Sequence, residues 1–70
     1  MELNDEEKAV LESIEEGMSD LSQAEVYTSL DRARVKQIFE KLEHLGLIKI
    51  NKKYDSFYKE DYWDAEIIRK

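Results

Sequence analysis

Residues 31–50, DRARVKQIFEKLEHLGLIKI, decide how this chain folds. Val35, Ile38, Phe39, Leu42 and Leu45 recur at the spacing that puts side chains on one stripe of a 3.6-residue helix. Asp31 suits the N-cap, because its carboxylate can accept from the free amides of the first turn. Gly46 suits the position after the last turn, where a left-handed residue ends the helix and glycine adopts that conformation without steric cost. Leu47, Ile48 and Ile50 then change the period to that of a strand, with Lys49 facing water. One helix therefore stops abruptly and hands the chain to a strand.

Working outward, Asn4 to Gly17 is expected to be a first helix, capped by Asn4 with Glu7 completing a capping box. Val10, Leu11, Ile14 and Met18 would face inward. Ser22 and Glu25 make a second capping-box pattern, which predicts a short helix over 22–29, with Leu21 in a minimal strand before it. Ala24, Val26, Tyr27 and Leu30 supply its apolar residues without forming one clean stripe. The third helix spans about 31–45. Beyond it, strands are expected at 47–53 and 62–68, with Trp63, Ala65 and Ile67 sharing a face and pairing antiparallel with the first strand. A helix from Lys59 competes with the second strand, because Tyr58–Tyr62 and Trp63–Ile67 also fit i, i+4; the alternation favours the hairpin. Segment 54–61 (YDSFYKED) has no clear period. The expected class is mainly α with a small antiparallel β hairpin, in a single domain over 1–70.

Composition narrows the function. The 70 residues contain no cysteine and no proline, and 40% are charged. Disulfides and thiolate metal sites are excluded, and no apolar run is long enough for a signal peptide or a membrane span. A soluble, cytoplasmic protein is the expectation. His44 is the only histidine and lacks partners for metal binding or general-base work, so it reads as a surface residue. Two glycines cannot build a phosphate-cradling loop. The sequence points away from an enzyme and implies no cofactor or metal.

The net charge of −6 is unevenly spread. Residues 1–25 carry nine acids against one base, residues 26–54 seven bases against three acids, and residues 55–70 five acids against three bases. A basic island thus coincides with the third helix and the strand after it.

The order helix, short helix, glycine-ended third helix and hairpin resembles a winged helix-turn-helix domain, and is most similar to the small prokaryotic transcription regulators. Leu42, Gly46, Leu47 and Ile48 stand where that family ends its recognition helix and enters its wing. Thr28-Ser29 stands where the family often has a glycine, and YDSFYKED is longer and more aromatic than its usual basic wing. The resemblance implies a three-helix bundle plus wing that binds double-stranded DNA, the N-terminal half of the third helix reading the major groove. Arg32, Ala33, Arg34, Lys36, Gln37 and Lys41 would lie on that helix, away from its apolar stripe. Arg, Lys and Gln are the side chains that read G and A. Lys49, Lys52 and Lys53 would hold phosphates beside it. The structural alternative is a solvated helix face with pairs such as Lys36–Glu40. Glu40 and Glu43 would confine base contacts to the first two turns.

Five aromatics, Tyr54, Phe57, Tyr58, Tyr62 and Trp63, fall within ten residues. We expect Trp63 and Phe57 to roof the core; otherwise the group forms a partner interface, for a second copy in a homodimer or for another protein. The alternative to DNA binding is an interaction module that docks a protein partner through the acidic first helix or this aromatic segment.

Overall fold

The computed structural model describes residues 3–68. Helices α1 (Asp5–Glu15), α2 (Leu21–Thr28) and α3 (Arg32–His44) precede an antiparallel hairpin of β1 (Ile48–Asp55) and β2 (Glu60–Ile67). The fold is mainly helical with a small sheet, and the element order is compatible with a winged helix.

Local chemistry accounts for each boundary. Asn4 and Glu7 form the expected capping box, with Asn4 N–H donating to Glu7 Oε1 at 2.9 Å and Glu7 N–H to Asn4 Oδ1 at 2.8 Å. Both α1 and α3 end in the paired amide-to-carbonyl bonds of a Schellman turn: Gly17 to Ile14 and Met18 to Ser13 for α1, Gly46 to Glu43 and Leu47 to Leu42 for α3. The two glycines take φ of +91° and +79°. Placed there, they let each helix end within one residue and the chain turn back.

The second helix departs from expectation. Asp20, not Ser22, caps it, accepting from the Gln23 amide at 2.7 Å. The helix thus begins at Leu21, which is 2% exposed and belongs to the core instead of to a strand. The strand-like contact lies one residue earlier, where Asp20 bridges Asp64 and the Ala65 amide donates to the Ser19 carbonyl. Ser29 ends α2 in the left-handed region at φ +61°, a conformation that favours glycine.

α3 is the centre of the core. Val35, Ile38, Phe39 and Leu42 are at most 1% exposed and pack with Val10, Ile14, Leu21, Ala24, Ile48, Ile50, Trp63 and Ala65. Burying a side chain such as Phe39 is favourable by about 1.5–3 kcal/mol, which is why the apolar stripe of α3 determines what packs where. On β2, Trp63 and Ala65 face inward while Tyr62 and Glu66 remain exposed, the alternation expected.

The hairpin is longer than the sequence predicts. Its register runs from Ile48↔Ile67 to Asp55↔Glu60, so both ends of YDSFYKED are strand and residues 56–59 turn. Asp55 closes that turn by accepting from the amides of Phe57 and Tyr58 at 2.9 and 3.2 Å. Since Ile50 and Trp63 are the last buried pair of residues along the two strands, the tip reaches past the body. The placement expected of Phe57 is corrected here: it is 82% exposed at the turn, too far out to cover the core, and Trp63 alone does so.

Candidate nucleic-acid interface

The exposed side of α3 carries Ala33, Gln37, Glu40 and His44, with Arg32, Arg34 and Lys36 half-buried around them. α3 packs against the hairpin through β1, while long side chains from its N-terminal half extend to β2. Arg32 and Lys36 both reach carboxylates at the start of β2, Glu60 and Asp61. Strand alternation puts Lys52 on the α3 side of the sheet, over Trp63, and Lys49 and Lys53 on its other face, so the structure brings only part of the hairpin set beside the helix residues.

All four cations of α3 are ion-paired within the chain. Arg32 Nε meets Glu25 at 2.9 Å and its Nη2 donates to Ser22 Oγ at 2.9 Å, with Glu60 3.6 Å from Nη1. Arg34 grips Glu6 Oε1 through Nε and Nη2 at 3.1 and 2.9 Å and donates to the Gln37 amide oxygen at 3.3 Å. Lys36 pairs with Asp61 at 2.6 Å, not with Glu40 as the helical spacing predicts. A strand carboxylate 25 residues away is the partner instead, and the same ammonium also lies 5.2 Å from the Trp63 ring centroid on that strand. Lys41 meets Glu7 at 2.6 Å.

These pairs are unequal. The partners of Arg32, Arg34 and Lys36 are themselves 28–57% exposed, so water and ions can compete for them. The Glu7 side chain is only 4% exposed. The Lys41 ammonium, followed by the Asn4 amide, holds its carboxyl below the ordinary 4.5. Lys41 is thus committed to a covered carboxylate. Glu43 is engaged too, accepting from the Ile50 amide at 2.8 Å and so satisfying a donor on the free edge of β1.

The hairpin lysines differ. Among the described residues Lys49, Lys52, Lys53 and Lys59 have no carboxylate within ion-pair distance. Lys49 stands across from Glu66 in the register. Lys52 rests over the Trp63 ring, its Nζ 4.6 Å from the centroid, and Lys36 lies 5.2 Å away from the same centroid. Trp63 is therefore a core residue roofed by two cations, and does not join Tyr54, Phe57, Tyr58 and Tyr62, which are 49–82% exposed. Lys53, Tyr54, Asp55, Ser56 and Tyr62 line a shallow open cleft near the tip. Tyr62 directs its hydroxyl toward Asp20 Oδ2 at 3.4 Å, and the charge of Asp20 raises its pKa.

Sequence reasoning missed the acids that compensate α3: Glu6, Glu7, Glu25, Glu60 and Asp61. Helical spacing reveals only neighbours three or four residues apart, and the Arg34–Glu6 pair is separated by 28. No group of three or more potential metal ligands occurs among the described residues, and no helix there is long and apolar enough to cross a membrane. Comparison with known proteins matches no family model, no curated protein and no solved structure.

Proposed function

We propose that this chain is a winged helix-turn-helix domain that binds double-stranded DNA as a transcriptional regulator. The N-terminal half of α3 enters the major groove, and the hairpin lies against the adjacent backbone. The observation that carries this reading is the pairing of α2 with α3 through only Ser29–Asp31 while Ala33 and Gln37 stay exposed and Arg34 stays half-exposed between them. Small Ala33 permits close approach, and Arg34 and Gln37 have the donor geometry for G and A.

Internal compensation sets the strength. Exposed ion pairs contribute ~0–1 kcal/mol, so a phosphate can replace Glu6, Glu25 or Asp61 as the partner of an α3 cation. Exchanging one anion for another yields little net gain. Lys41 stays with Glu7 and leaves the contact set. Most of the net electrostatic attraction then comes from Lys52, Lys53 and Lys59, and each phosphate neutralised contributes about −0.9 to the log–log slope of affinity against salt. The expected slope is roughly −3.

Fluorescence anisotropy with mixed-sequence duplexes at ~50 mM salt, in the micromolar range typical of non-specific binding, tests this reading. The stoichiometry reports whether two copies share a site. Absence of binding under those conditions refutes it.

A second reading, docking of a protein partner, draws on Val26, which is 77% exposed on α2 beside the acidic first helix. Tyr27 on the same helix donates to Glu12 at 2.5 Å, tying α2 to the acidic α1. Loss of a captured partner on charge reversal at Glu12, Glu15 and Glu16 supports it; retention of the partner rejects it.

A further inference from the structure

We infer that the hairpin tip is a stacking platform for unpaired nucleic-acid bases, so that the domain prefers DNA carrying a single-stranded segment over fully paired duplex. This deepens the DNA-binding reading and rests on it. From the sequence alone, a net acidic 55–70 segment opposes contact with a polyanion. The fold removes that objection, because each acid near the tip is already engaged. The Asp55 carboxylate accepts from two turn amides, Glu60 lies 3.6 Å from Arg32, and Asp61 is held by Lys36 at 2.6 Å. Glu60 and Asp61 are drawn back toward α3. Lys53 and Lys59 beside them have no carboxylate partner among the described residues.

The aromatic rings complete the site. Tyr54 is 63% exposed, Phe57 82% and Tyr58 69%, all beyond the end of the core. Phe57 and Tyr58 meet edge to face, with centroids 4.9 Å apart and planes at 83°. That arrangement leaves ring faces open, whereas a parallel stack would cover one face of each. Open rings flanked in the chain by Lys53 and Lys59 match the chemistry of a single strand, whose bases offer π-faces and whose backbone offers phosphates. A duplex hides those base faces in its own stack.

The test compares a fully paired duplex with one of equal length holding a central bubble of unpaired thymines, by anisotropy, with wild type and with Phe57→Leu/Tyr58→Leu. Leucine keeps apolar bulk without a π-face, and both positions are exposed enough for the fold to tolerate the change, which circular dichroism verifies. The expected result is a roughly 5- to 150-fold preference of the wild type for the bubble, the range that stacking of one base supports, lost in the variant. Equal affinity for the two probes overturns the platform and leaves DNA binding standing. A preference that survives in the variant also overturns it. Binding to neither probe removes both readings together.

Discussion

Replacing Glu6 by glutamine separates a compensated DNA-binding face from one that is merely solvated. Glu6 holds Arg34 with one carboxylate oxygen at 2.9 Å, and the side chains are 46% and 36% exposed. In bulk water two unit charges at that distance attract by about 1.4 kcal/mol. Exposed pairs measured by double-mutant cycles retain ~0.2–1 kcal/mol after side-chain ordering and salt screening. If a DNA phosphate must displace Glu6 to reach Arg34, removing the carboxylate returns that energy to binding. Affinity then rises about 1.4- to 5-fold. Duplex titrations by anisotropy read the change. Asp5→Asn provides the control, since Asp5 is exposed on the same helix, forms no ion pair among the described residues, and loses the same unit of charge. The gain should exceed that of Asp5→Asn and vanish when Arg34→Gln is added. Equal gains from Glu6→Gln and Asp5→Asn would show that only net charge matters, and an unchanged or lowered affinity for Glu6→Gln would refute the exchange outright.

Other consequences concern stability. Ser29 sits at φ +61°, a conformation that costs a non-glycine residue about 1–2 kcal/mol. Ser29→Gly relieves that strain but loosens the unfolded chain by ~0.4–1 kcal/mol. A net rise in Tm of a few degrees, roughly 3–6 °C, is expected in thermal denaturation, and a fall would contradict it. Gly46→Ala should do the reverse. Nothing lies within 4 Å of the added methyl, so the cost is backbone strain less the same unfolded-state term, and Tm should drop by roughly 3–6 °C. The covered pair Lys41–Glu7 predicts a pH dependence. Because the folded state lowers the Glu7 pKa, its contribution is complete above the ordinary 4.5 and is lost as pH falls through the lower folded value. The Tm deficit of Lys41→Met should therefore shrink as the pH is taken below 4.5; a constant deficit would rule out the pair as its source.

Local chemistry was enough to read α3, its Asp31 cap, its Gly46 stop, the capping box of α1 and the turn to a strand at Ile48. Each of these depends on residues no more than four apart, where periodicity and capping act directly. The alternation of Trp63, Ala65 and Ile67 likewise disclosed the second strand. What tertiary structure decided was everything set by elements meeting across the chain. The cap of α2 moved to Asp20 because the preceding residues pair with β2 and Leu21 is drawn into the core. The hairpin grew to Asp55↔Glu60 because pairing, and not the uneven pattern of segment 54–61, determines how far two strands run together. Its length put Phe57 in water and left Trp63 as the only one of the two over the core.

The electrical character of the candidate site was decided in the same way. Summed along the sequence, residues 26–54 form a positive island and residues 55–70 an acidic tail. In three dimensions the island's helix is neutralised by acids from α1, α2 and β2, while Glu60 and Asp61 of the tail reach α3 and, among the described residues, the hairpin lysines have no ion pair. A charge sum depends only on composition, but a field depends on which opposite charges stand a few ångströms apart. Helix positions, caps and stops were present in the order of residues; which cations remain available to an anion was determined only when the helices and hairpin packed.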